Sequence, residues 1–130
     1  MSYDDALLAI DNFYQSNAFY ELLDRRVGFR TESNMPNRGE ELQNYLAKEI
    51  APYLKKMGFS CVIHDNPQLD AGPILVAHRN EGEHLPTVMT YGHGDVVAGY
   101  DEQRHDGMTP WKITRENGVW YGRGTADNKG

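Results

Sequence analysis

Apolar side chains recur at helical spacing near the start of the chain. Leu7, Leu8, Ile10, Phe13 and Tyr14 follow that period over about residues 4–14, and Asp4 and Asp5 stand where acidic groups complement the positive end of a helix dipole. This predicts a first helix. Ser16-Asn17 can cap a second, shorter one carrying Phe19, Leu22 and Leu23, after which Gly28 and the polar run 31–37 read as a loop. A third, longer helix is expected over about 39–57, where Leu42, Tyr45, Leu46, Ile50, Tyr53 and Leu54 repeat. Gly58 is placed to end it as a left-handed cap, and Pro52 is a point at which it can bend.

Beyond Gly58 the period shortens. Residues 59–64, 74–78 and 87–92 are apolar or β-branched runs separated by Asn66-Pro67, Gly72-Pro73 and Glu81-Gly82, and they read as strands. Residues 111–116 and 119–122 flank Asn117-Gly118, the dipeptide that best accepts the positive φ angles of a type I′ hairpin turn. Helices followed by strands indicate an α/β layer architecture. The chain contains no internal repeat, low-complexity tract or linker.

Composition narrows this picture. Leu, Ile, Val and Phe make up 26 of 130 residues, on the boundary below which charged chains are often disordered. Eight Tyr, five Met and two Trp partly compensate, and the charged fraction of 25% is ordinary, so a folded chain with a thin core is expected. Mean hydropathy is −0.68 and the isoelectric point about 5.3. A net charge of −6 argues against nucleic acid and against anionic membranes as partners. No apolar run approaches the roughly 18 residues of a membrane span, and the acidic N-terminus lacks the basic and apolar regions of a signal peptide. Cys61 is the only cysteine and reads as a strand residue, not as a nucleophile or half of an internal disulfide. A cytoplasmic location is the expectation.

Two segments could carry chemistry. Val88 to Val97 contains Gly92-His93-Gly94-Asp95, in which two glycines let the backbone turn and side chains two residues apart can face one cavity. A neutral imidazole suits zinc, and a nearby carboxylate can orient that ring through its second nitrogen. A structural His93 satisfied by its neighbours is the alternative, since the spacing is common. The second segment, Gly122-Arg123-Gly124-Thr125-Ala126-Asp127-Asn128-Lys129-Gly130, sets three glycines around one acid. Six fixed positions of this kind arise by chance on the order of 10⁻⁵ of the time. The glycines permit close backbone approach and unusual dihedrals, so that Asp127 could serve two metal ions; the plainer reading is a tight turn with Asp127 as a helix N-cap.

Together, Val88 to Val97 and Trp120 to Gly130 resemble the paired signatures of the family of dinuclear zinc peptidases that includes zinc aminoacylase, carboxypeptidase G, acetylornithine deacetylase and succinyl-diaminopimelate desuccinylase. The order of helices, strands and motifs agrees over most of the chain. The resemblance implies a catalytic domain of helices packed on a mixed β-sheet, with two zinc ions, for which Co²⁺ or Mn²⁺ could substitute. By the same resemblance His93 ligates one zinc, Asp95 is the catalytic residue that braces it, and Asp127 bridges both metals, followed by a cis peptide to Asn128. Substrate-binding residues are not implied.

The implied reaction is hydrolysis of an amide or peptide bond in a small peptide or N-acyl amino acid. Two zinc ions lower the pKa of a shared water from 15.7 towards about 7, and a Glu takes its proton. Family members place an adjacent Glu pair, a further carboxylate and a last His downstream of the Asp motif. The expectation is therefore a single domain over residues 1–130, the truncated N-terminal part of such a catalytic domain, without a lid domain and inactive alone. A homo-oligomer is compatible with the family habit. The competing reading is a non-catalytic α/β module that retains an incomplete metal site. His64, His78, His84 and His105 have no comparable context, Trp111, Trp120 and Tyr121 read as packing residues, and the polar loop 99–109 is a candidate rim for the site.

Overall fold

The computed structural model describes residues 2–68, 71–103 and 107–130. The chain divides into two units, one made of the residues up to Gly28 together with Tyr100–Gly130, the other of Phe29–Gly99.

In the first unit, helix α1 spans Tyr3–Gln15 and α2 spans Asn17–Val27. Ser2 accepts from the Asp5 amide while the Asp5 carboxylate accepts from the Ser2 amide, a capping box that starts α1. The Ser16 hydroxyl accepts from Ala18 and starts α2, as the Ser16-Asn17 signal predicts. The core holds Leu23, Val27 and Ile113, with Phe19, Tyr20 and Trp120 packed around it. Trp120 meets Phe19 at 5.8 Å and Tyr20 edge-on at 5.6 Å between ring centroids, and the Arg115 guanidinium lies 3.5 Å from the Tyr20 centroid. After β1, Ser60–His64, and β2, Ile74–His78, which belong to the other unit, the first unit's hairpin pairs β3, Thr114–Glu116, antiparallel with β4, Val119–Tyr121. Its turn has Asn117 at φ 50° and Gly118 at φ 76°, the conformation that Asn-Gly predicts.

In the second unit the long helix is a composite. Helix α3, Gly39–Asn44, passes into a π-helical stretch, Tyr45–Ile50, and then into α4, Ala51–Lys56. Pro52 is the physical cause: it has no N–H to donate, and its ring crowds the carbonyl four residues back. The helix widens by one residue just before it, with the Ala51 amide donating to the Leu46 carbonyl five residues away. Gly58 closes the helix at φ 88°, its amide bonded to Lys55 O and that of Phe59 to Leu54 O.

Strands β1, Ser60–His64, and β2, Ile74–His78, pair antiparallel from Ser60↔His78 to His64↔Ile74. Their half-buried positions alternate, and Cys61 turns inward, its sulfur 3.8 Å from the Ala51 carbonyl. The α/β class holds, built among the described residues from helices and two two-stranded antiparallel sheets. One isolated parallel bridge joins Glu32 to Val96. The strand expected over 87–92 does not form: these residues are exposed and without regular structure. An apolar run becomes a strand only where another strand offers its backbone groups, and none of the described strands pairs with these residues. No helix among the described residues is long and apolar enough to cross a membrane.

Candidate metal centre

His93, Gly94 and Asp95 lie in the Phe29–Gly99 unit, on the irregular segment that leads into the Val96 bridge. Gly94 is required by packing. A Cβ there would stand 3.0 Å from Cε1 and 3.1 Å from Cδ1 of Tyr45, whose ring is buried against that of Phe29 at 5.3 Å. The close approach of backbone to ring puts the flanking side chains on the partly exposed surface of the unit. The His93 and Asp95 side chains keep 34% and 41% of their surface in solvent.

The two side chains meet. Nδ1 of His93 lies 3.2 Å from Oδ1 of Asp95 and 3.1 Å from the Asp95 backbone carbonyl. Both neighbours are acceptors, so in the neutral ring the proton resides on Nδ1 and the lone pair on Nε2, the tautomer that binds a metal through Nε2. The other carboxylate oxygen of Asp95, Oδ2, accepts from the Ser33 hydroxyl at 2.5 Å. Thr31 Oγ1 donates to Gly94 O at 2.8 Å, and the Gly99 amide donates to Oε1 of Glu32 at 2.9 Å. Glu32 is 2% exposed and is paired with Arg38 at 2.9 Å. Thr31, Glu32 and Ser33 fall in a stretch that the sequence marks only as loop. Their role depends on contacts more than 60 residues away, which no local spacing encodes.

Asp127 lies in the other unit, in a turn that follows the β3–β4 hairpin. A Cβ at Gly122 would come within 3.0 Å of Thr125 Cγ2 and 3.2 Å of Val27 Cγ1, and Gly124 has φ 87°, so packing favours glycine at the first position and backbone conformation at the second. The Arg123 amide donates to Pro110 O at 2.7 Å and that of Lys129 to Gly124 O at 3.1 Å. Lys129 is 2% exposed, with Nζ donating to Arg26 O at 3.0 Å near the end of α2. Asp127 itself is exposed. The cis peptide expected after it is absent: all peptides among the described residues are trans, and the chain turns instead through Asn128 at φ 63°. A trans non-proline bond is favoured by about 3 kcal/mol, and an Asn tolerates the left-handed region.

The structure thus brings His93 and Asp95 together and sets Asp127 in a separate unit. Within neither unit do three His, Cys, Asp or Glu side chains among the described residues gather as a metal-holding group. What is present fits zinc in kind: a neutral imidazole whose second nitrogen is held by a carboxylate. His64 and His78 are at opposite ends of the β1–β2 pairing, His84 is exposed, and His105 and part of the 99–109 loop are outside the described residues.

Comparison with known proteins agrees with the motifs. Residues 89–130 match Peptidase family M20/M25/M40. The chain is 35% identical over 83 residues to a succinyl-diaminopimelate desuccinylase of Legionella pneumophila, covering 64% of this chain and 20% of that protein. It is 41% identical over 68 residues to a Beta-Ala-His dipeptidase of Mus musculus, covering 51% of this chain and 13% of the relative. An acetylornithine deacetylase of Pasteurella multocida is 29% identical over 114 residues, 87% of this chain and 28% of its own length. The chain therefore spans between about an eighth and three-tenths of these relatives. The resemblance to the zinc aminoacylase family that the paired motifs carry is borne out, with the matched segment holding all three candidate residues, His93, Asp95 and Asp127.

Proposed function

We propose that this chain supplies the first metal-binding residues of a dinuclear zinc hydrolase that cleaves an amide or peptide bond in a small peptide or N-acyl amino acid. The observation that carries the reading is the His93–Asp95 pair, whose hydrogen bonds leave the imidazole in its metal-binding tautomer within a segment matched to a peptidase family. In this reading residues 1–130 form part of the catalytic domain, located in the cytoplasm. His93 would hold one zinc ion, Asp95 would brace its ring, and Asp127 would add its carboxylate to the metal ligands. Zinc, when bound, polarises the scissile carbonyl and makes a water nucleophilic at neutral pH. Asp95 keeps the His93 proton on Nδ1, and the glycines at 122 and 124 shape the turn that presents the Asp127 carboxylate. The choice of substrate, and any pairing of subunits, follow from residues other than these three.

The test is a metal titration joined to hydrolysis. The full protein is expected to take up about two Zn²⁺ and to hydrolyse N-acyl amino acids or dipeptides. An Asp127→Ala protein that turns over like wild type would sink this reading. Calorimetry showing no Zn²⁺ uptake, together with no hydrolysis, would favour a non-catalytic α/β module instead.

A further inference from the structure

Within the Phe29–Gly99 unit, Thr31, Glu32 and Ser33 run beside the segment from Gly94 to Gly99 and hold it at successive points. The Val96 amide donates to Thr31 O at 2.8 Å and the Ser33 amide to Val96 O at 3.2 Å, which is the isolated parallel bridge. Side chains extend that bridge at both ends. Thr31 Oγ1 reaches Gly94 O on one side, and Glu32 takes the Gly99 amide on the other. Thr31 is fully buried and Glu32 nearly so, the latter neutralised by Arg38 at 2.9 Å with Arg30 at 3.6 Å. A buried carboxylate held by an arginine and a backbone amide is a fixed point, because releasing it would leave a charge unpaired. Ser33, next in sequence, is therefore presented to Asp95 from a rigid support.

We propose that Ser33 is a positioning residue: its hydroxyl fixes the Asp95 carboxylate, which together with the Asp95 backbone carbonyl sets the tautomer of His93. The Asp95 side chain is 41% exposed, so nothing in its own burial selects one orientation over those open to solvent. The Ser33 hydroxyl donates to Oδ2 and thereby turns Oδ1 toward His93 Nδ1. A hydroxyl is needed and a methyl group cannot replace it. The consequence for zinc rests on the function proposed above, whereas the positioning of the ring does not.

Histidine ¹⁵N–¹H correlation spectra of the full chain without metal, at alkaline pH where imidazoles are neutral, read the tautomer directly. Wild type is expected to show His93 with its proton on Nδ1. Ser33→Ala is expected to give a mixture with Nε2–H, and Ser33→Thr to restore the wild-type pattern, while backbone amides of β1 and β2 stay in place. An unchanged His93 pattern in Ser33→Ala overturns the proposal. A Co²⁺ absorbance titration supplies the second readout. Outer partners of ligating histidines commonly set metal affinity by 10- to 100-fold; Ser33 acts one hydrogen bond further out, so about a tenfold loss in Ser33→Ala is expected. If the full protein, and not only residues 1–130, takes up no Co²⁺ while the tautomer still depends on Ser33, the zinc reading fails and the positioning stands. If Co²⁺ binds both proteins alike and the ring pattern is unchanged, the positioning fails and the zinc reading stands.

Discussion

Gly94 and Lys129 show how single residues set the two candidate segments. Tyr45 is 2% exposed and its ring lies 3.0 Å from where a Cβ at position 94 would stand, so Gly94→Ala must shift the ring or the segment slightly. Overpacking of this kind costs about 1–3 kcal/mol. Gly94→Ala is expected to lower the urea midpoint by that amount and to disturb the His93 ring signals, whereas Gly92→Ala, with nothing near its Cβ, should leave both unchanged. Lys129 is a different case, an ammonium group buried with its Nζ on the Arg26 carbonyl. Sequence reads it only as a member of a glycine-rich motif; the contact that explains it spans 103 residues and has no local signature. Lys129→Met keeps the apolar stem and removes the charged donor to the Arg26 carbonyl. A loss of about 1–3 kcal/mol is expected in chemical denaturation.

Elements follow the sequence where their causes are local. The capping box at Ser2 and Asp5, the Ser16 cap, the Gly58 stop and the Asn117-Gly118 turn all form as the residue types require. Each needs only its own few residues. The run at 87–92 shows the limit, because its alternation of apolar and polar positions describes a capacity for pairing that only another segment can satisfy. The π-helical stretch is intermediate: Pro52 announces a disturbance, and the structure shows it taken up as a one-residue widening instead of a break. Two predictions belong to this scale. Gly58→Ala forces a side chain into the left-handed region at φ 88°, which costs about 1–2 kcal/mol, and thermal denaturation should report it. In α1, hydrogen bonds from the Ser2 backbone first, and then from its side chain, hold the Asp5 carboxyl below its usual pKa. A lowered value means that the cap contributes fully above the ordinary carboxylate pKa of about 3.9 and is lost as pH falls through the lowered one. Protection of the first-turn amides of α1, relative to the intrinsic exchange rate at each pH, should therefore fall only in that acid range, and Asp5→Asn should remove the dependence.

At the scale of the whole chain, the thin supply of Leu, Ile, Val and Phe is matched by where those residues lie. Val62 and Val76 face each other across β1 and β2 and are 54% and 52% exposed, while Val88, Met89 and Tyr91 are 80%, 91% and 89% exposed. Helix α1 buries none of its residues, with Leu8 and Ile10 more than half in solvent. Apolar area left in water contributes nothing to folding, and single domains hold only about 5–15 kcal/mol in reserve. The 130-residue chain is therefore expected to unfold at low denaturant and to associate through these surfaces as its concentration rises. Sedimentation should show mass increasing with concentration, and the paired change Val76→Lys with Met89→Lys should suppress it while leaving the helical signal intact. A cooperative, high-temperature transition of a monomer, independent of concentration, would contradict this, because it would require stabilisation beyond what the buried apolar residues among those described, Leu22, Leu23, Val27, Tyr45, Ala51, Val96, Ala98 and Ile113, supply.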